Sequence, residues 1–122
     1  MGLDQFAYRV MKQNVIDDLT FKQEEMPEDG NDMDFDYWRK FRSLNDWCYD
    51  LYRKKGGTGE FNCDNVRLTK DDLDDLYKAA QRDEFYQDTE ERDMEYAHLM
   101  NFIQNAKQAI AEGDAVYYSN WW

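Results

Sequence analysis

One proline, one histidine and two cysteines are all that 122 residues supply of the types that most often break, ligate or cross-link a chain. So little cysteine excludes a disulfide-dense secreted scaffold. With a lone His98 it also leaves too few soft ligands for a structural zinc site. No apolar run approaches the roughly 20 residues that span a bilayer. Met1 is not followed by the basic and apolar regions of a secretory leader, and none is expected. Phe6 stands where a myristoylation signal wants Ser or Thr. Basic residues are scarce as well: 15 Lys and Arg face 27 Asp and Glu, for a formal net charge of −12. That balance disfavours polyanions, so neither direct nucleic-acid binding nor an anionic membrane is expected. A cytoplasmic setting with reduced thiols follows from the same absences.

What the chain does have is aromatic area, 16% of its residues. High charge with few aromatics reads as disorder; here Trp, Tyr and Phe supply the surface for a core. The length suits one domain, residues 1–122.

Residues 3–10 read as a strand, with Asp4, Phe6, Tyr8 and Val10 on its more apolar side. Residues 15–21 fit either a helical turn or an irregular strand. Residues 24–34 hold the only proline and a run of acids, which predicts a mobile acidic loop. A helix is predicted over 36–55 from Tyr37, Phe41, Leu44, Cys48 and Leu51, with Gly56 and Gly57 as its stop. Residues 60–68 predict a short strand or a structured crossing. Thr69 with Asp72 approximates a capping box for a second helix, whose buried face is Leu73, Leu76, Tyr77 and Ala80. A third helix is predicted from Thr89 to Gly113 through Tyr96, Leu99, Ile103, Ala106 and Ile110. Residues 115–119 read as a closing strand that pairs with 3–10. The predicted fold is α+β: about three helices on a small antiparallel sheet that includes both chain ends.

Recognisable chemistry is sparse. Cys48 falls on a buried helical stripe and reads as a small core residue. His98 reads as a satisfied structural histidine. Asp32, Asp34 and Asp36 begin like a calcium loop, but Tyr37 replaces its glycine and Ser43 its bidentate glutamate. Gly56, Gly57 and Gly59 lack the Gly-Lys-Ser/Thr of a phosphate loop. No cofactor or metal is expected.

Charge is unevenly spread. Residues 1–34 carry net −6, residues 35–68 net +2 and residues 69–122 net −8. Arg39, Lys40, Arg42, Arg53, Lys54 and Lys55 form a basic island that neutralises acidic neighbours. Asp71, Asp72, Asp74 and Asp75, with Glu90 and Glu91, are the candidate partner-binding acids. The helix dipole alone also favours acid at such positions. Asp4, Arg39, Tyr117, Ser119 and Trp121 are the candidate pocket residues if the terminal strands meet.

Several motifs occur in a recognisable order: Met1-Gly2-Leu3-Asp4 with Phe6 and Tyr8, Tyr37-Trp38-Arg39-Lys40 leading to Asn45-Asp46-Trp47, Asn62-Cys63 before Leu68-Thr69-Lys70-Asp71-Asp72-Leu73, and Tyr117-Tyr118-Ser119-Asn120-Trp121. Together they resemble a family of small tailed-bacteriophage proteins of unknown function. The resemblance spans most of the chain, although this sequence is shorter between its second and third helices than the longer members. Some members carry the label phosphoglycerate kinase. Such an enzyme needs two large substrate-binding domains, which this length does not accommodate. The resemblance implies a phage accessory protein in the host cytoplasm, with no catalytic residue to carry over. Acidic surfaces then imply a host or viral protein partner, basic or DNA-binding, engaged and inhibited by contact or by mimicry of nucleic acid. The alternative is a small-molecule- or metal-dependent enzyme with its site at the terminal aromatic cluster. A third expectation is self-association through exposed Trp and Tyr.

Overall fold

A computed structural model describes residues 3–22, 34–62, 64–86 and 92–121. Strand β1 (Asp4–Val10) is followed by a 3-10 turn at Lys12–Asn14, strand β2 (Asp34–Arg39) and helix α1 (Arg42–Lys54). Strand β3 (Asn65–Arg67), helix α2 (Lys70–Ala80), a 3-10 turn at Asp83–Phe85, helix α3 (Arg92–Ala111) and strand β4 (Ala115–Trp121) complete the order. The strands form one antiparallel sheet in the order β2-β1-β4-β3. The two terminal strands are its centre, paired from Asp4 opposite Trp121 to Val10 opposite Ala115. This is the predicted α+β architecture. Most of residues 24–34, predicted as an acidic loop, lie outside the described residues, as do Cys63 and Thr89 to Glu91. Among those described, no helix is long and apolar enough to cross a membrane.

The sheet uses both faces. On one, Ala7, Trp38, Val66, Val116 and Tyr118 meet Leu44, Cys48, Leu73, Leu76, Leu99, Phe102 and Ala106 from the three helices. On the other, Val10, Ala115 and Tyr117 pack under Phe21, which the segment after β1 brings back through a bridge between Val15 and Phe21. So residues 15–21 are nearer the irregular strand than the helical turn. Gln5 and Ala7 of β1 face the helices, fully buried, and the more apolar Phe6 and Tyr8 face away. Apolarity alone misassigns this strand, because helices cover the side that carries a glutamine.

The predicted first helix starts too early. Residues 34–39 are strand, and α1 begins only at Arg42. The helical stripe through Leu44, Cys48 and Leu51 is buried as predicted, but Tyr37 does not belong to it. Aromatic residues tolerate both states, and the open edge of β1 supplies a ladder that helical periodicity cannot register. A bulge opposite Ala7 and Tyr8 lets Phe35 pack edge-on to Phe102, 6.1 Å between centroids. Lys40 turns the chain with a φ of 59° before the helix. Consequently Arg39 and Lys40 of the basic island precede α1. Tyr77 is a second correction: it is exposed, whereas Leu73, Leu76 and Ala80 are buried.

The predicted start of α2 and stop of α1 hold. Thr69 Oγ1 accepts from the Asp72 N–H at 3.2 Å and Asp72 accepts from the Thr69 N–H at 2.9 Å, a complete capping box for α2. Gly56 stops α1 in the left-handed region at a φ of 100°, and Gly57 is required by contact, since a Cβ there overlaps the Tyr52 ring.

Candidate functional site

The buried polar groups position the rest of the site. Gln5 reaches from β1 to the start of α1. Its Nε2 donates to the Phe41 carbonyl at 2.9 Å, and its Oε1 accepts from the Phe41 N–H at 2.7 Å. Phe41 has no side-chain cap of its own, so a distant glutamine serves α1 instead. The Gln5 amide also donates to the Tyr118 hydroxyl, which donates to Asn45 Oδ1 at 2.8 Å. Asn120 Nδ2 donates to the same oxygen at 2.8 Å and to the Phe61 carbonyl at 2.6 Å. Burial pushes the Tyr118 phenol far above its ordinary value. This network fastens α1 to the two central strands and holds in place the helix face described next.

Ser43, Asp46, Trp47 and Asp50 recur on one side of α1, at helical spacing. They face Ala79 at the end of α2, Arg82 just beyond it, and Glu84 and Phe85 of the following turn, across a groove of about 310 Å³. Phe85 is held from behind by Phe41, 5.6 Å between centroids and nearly perpendicular. Asp46, Asp50 and Glu84 are exposed, and none forms an ion pair among the described residues. The arrangement combines an aromatic floor with carboxylate rims.

The predicted acidic row divides by role. Asp72 is internal to the structure, closing the capping box and pairing with Lys55 Nζ at 2.6 Å. Burial opposes its ionisation, but bonds from Lys55 and Thr69 outweigh that and hold the carboxyl below its ordinary value. Asp74 pairs with Lys107 of α3, a hydrogen bond that lowers its pKa. Asp71 and Asp75 are exposed and unpaired among the described residues. They share a helical face with Ala79, so the row leads into the groove. Glu90 and Glu91 lie outside the described residues.

The candidate pocket residues share the sheet face turned away from the helices. Asp4 is opposite both Arg39 and Trp121, and Ser119 is opposite Phe6. Tyr37 donates to Asp4 Oδ1 at 2.6 Å, and that bond raises its phenol. Trp121 is 62% exposed and Tyr37 46%, so this end of the face is open. Tyr117 belongs to the other end: it is fully buried, its ring lies tilted against Phe21 with centroids 4.7 Å apart, and its hydroxyl donates to the Asp17 carbonyl at 2.5 Å.

His98 is structural in its contacts. It lies against Trp38, 5.2 Å between ring centroids, and its Nε2 is 2.6 Å from Asp36 Oδ1. A hollow of about 190 Å³ beside it is lined by Arg39, Phe41 and Glu95 among others. No cluster of three or more metal-ligating side chains occurs among the described residues.

Neither the groove nor the Asp36–His98 pair is legible in the sequence. Asp46, Trp47 and Asp50 were visible as an i, i+1, i+4 set, but their opposite wall comes from a turn some 35 residues on. No protein-family model, curated protein or solved structure matches the chain.

Proposed function

We propose that the protein is a binding domain that engages a basic protein through acid presented by α1 and α2. The carrying observation is a continuous placement of acid that the fold does not consume. Asp71 and Asp75 lead along α2 to the groove where Asp46, Asp50 and Glu84 stand without ion-pair partners among the described residues. Surface acids that pair internally contribute little to recognition; those left unpaired set the field a partner meets. The phage family resemblance gives the setting: an accessory protein in the host cytoplasm whose partner is a host or viral protein, a DNA-binding one being the best fit by charge. Contact with its basic surface would inhibit that partner.

The test is affinity capture from infected-host lysate, repeated with Asp46→Asn/Asp50→Asn/Asp71→Asn/Asp75→Asn. The expected result is a basic protein retained at about 0.05 M salt and released by about 0.5 M, because screening shortens the field to a few ångströms. The quadruple variant should lose it. Capture that ignores salt and these four charges would refute the reading.

An enzyme remains the second reading, favoured by the Asp36–His98 pair beside its hollow rather than by the terminal aromatic cluster. A carboxylate that orients an imidazole is a general-base arrangement. If this reading is right, His98→Gln abolishes turnover of a substrate found by metabolite screening while leaving protein capture intact.

A further inference from the structure

We infer that the α1–α2 groove is the receptor for a single arginine side chain of the partner. This rests on the proposed function and names the group that the site takes. The groove volume of about 310 Å³ is at the small end of ligand sites, which run from roughly 300 to 1,000 Å³. That suits one long side chain rather than a helix or a cofactor.

The lining states the chemistry. Trp47 and Phe85 offer apolar and π surface for a methylene stem and a planar cation. Asp46, Asp50 and Glu84 supply carboxylate oxygens for a forked donor. Among the described residues Arg82 is the only cation in the lining, and it forms no ion pair with these carboxylates. The groove therefore keeps a net negative charge that the fold itself does not neutralise. A guanidinium fits better than an ammonium because it is planar, stacks on aromatic rings, donates in a fork and gives up water more readily.

The probes are amidated tri-arginine, tri-lysine and tri-glutamate, titrated into the full chain and followed by amide and indole resonances. Tri-arginine should move the Trp47 indole N–H and the Glu84 and Phe85 amides in a saturable way. Tri-lysine should bind more weakly, and tri-glutamate not at all. Asp46→Asn/Asp50→Asn should weaken tri-arginine about fivefold or more, as expected for losing two exposed charge pairs. Asp71→Asn/Asp75→Asn, outside the groove, should weaken it less than about twofold by screened charge alone. Both pairs are exposed, so neither substitution should disturb folding. The inference is overturned if shifts spread over α2 and α3 without Trp47, if the two double variants weaken binding equally, or if tri-lysine matches tri-arginine. Capture of a basic partner that survives Asp46→Asn/Asp50→Asn would overturn the groove while sparing the proposed function. Groove binding of tri-arginine with no partner captured would support the site and refute that function.

Discussion

Tyr118→Phe isolates the contribution of the buried network, because it deletes one oxygen and no packing area. The hydroxyl takes one hydrogen bond from Gln5 and gives one to Asn45. Neither partner is left wholly unpaired: Gln5 keeps both bonds to Phe41, and Asn45 Oδ1 keeps Asn120. Two neutral bonds at about 0.5–1.5 kcal/mol each give a loss of about 1–3 kcal/mol. For a domain of this size each kcal/mol lowers Tm by roughly 3–5 °C. Gln5→Leu must cost more: it strands the Phe41 N–H, an unsatisfied buried donor that costs about 1–3 kcal/mol, and also removes the Gln5 bonds to the Tyr118 hydroxyl and to the Phe41 carbonyl, which keeps only the Asn45 N–H at 3.2 Å. Urea denaturation followed by far-UV circular dichroism measures both. The pair also carries a pH signature. Burial raises the Tyr118 phenol, so the unfolded chain ionises first as pH climbs. The folded state then holds the extra proton, and stability present below about pH 10 is lost above it. Tyr118→Phe should reduce that alkaline slope by about one proton, or about 1.4 kcal/mol per pH unit. Tyr86, pushed up to about 12 by burial, together with Tyr117 and Tyr37, retains the remainder. A Tyr118→Phe change under about 0.3 kcal/mol, a Gln5→Leu cost no larger than it, or an unaltered alkaline limb would refute the argument.

Asp72→Asn should destabilise by about 1–3 kcal/mol, since it weakens the α2 cap and unpairs a mostly buried Lys55. The Asp72 pKa is lowered in the fold, so its contribution is present above about pH 4 and lost as acid protonates it. Acid titration should therefore show a shallower loss in the variant. Gly57→Ala should cost more than Gly56→Ala by thermal melting. The first forces a Cβ into Tyr52, whereas the second meets only the roughly 1 kcal/mol strain of a positive φ in open space. Trp121→Ala and Arg39→Gln should both stay within about 0.5 kcal/mol of wild type in chemical denaturation, because both residues are exposed. A large loss from either would mean that the open sheet face is part of the core.

Local signals carried much of the architecture. Thr69 and Asp72 announce a helix start because a capping box is complete within four residues. Gly56 announces a stop, and the 3, 4 spacing through Leu99, Ile103 and Ala106 marks the core side of α3. The meeting of the terminal strands was legible from their composition. Strand β2 was not. Tyr37, Phe41 and Leu44 keep helical spacing by coincidence, and only the ladder along β1 selects the extended state for Tyr37.

The candidate site separates the same way. The sequence alone determines that the molecule is strongly acidic, rich in aromatics and held by helices whose apolar faces recur every three or four residues. It also locates the acids on the chain. Which acids are consumed is a tertiary matter. Asp72 and Asp74 meet Lys55 and Lys107 from other elements, while Asp46, Asp50 and Glu84 gather around an aromatic groove with no cation bound to them among the described residues. Pairing depends on distances of a few ångströms between residues tens of positions apart, and a Coulomb interaction follows that distance rather than separation along the chain.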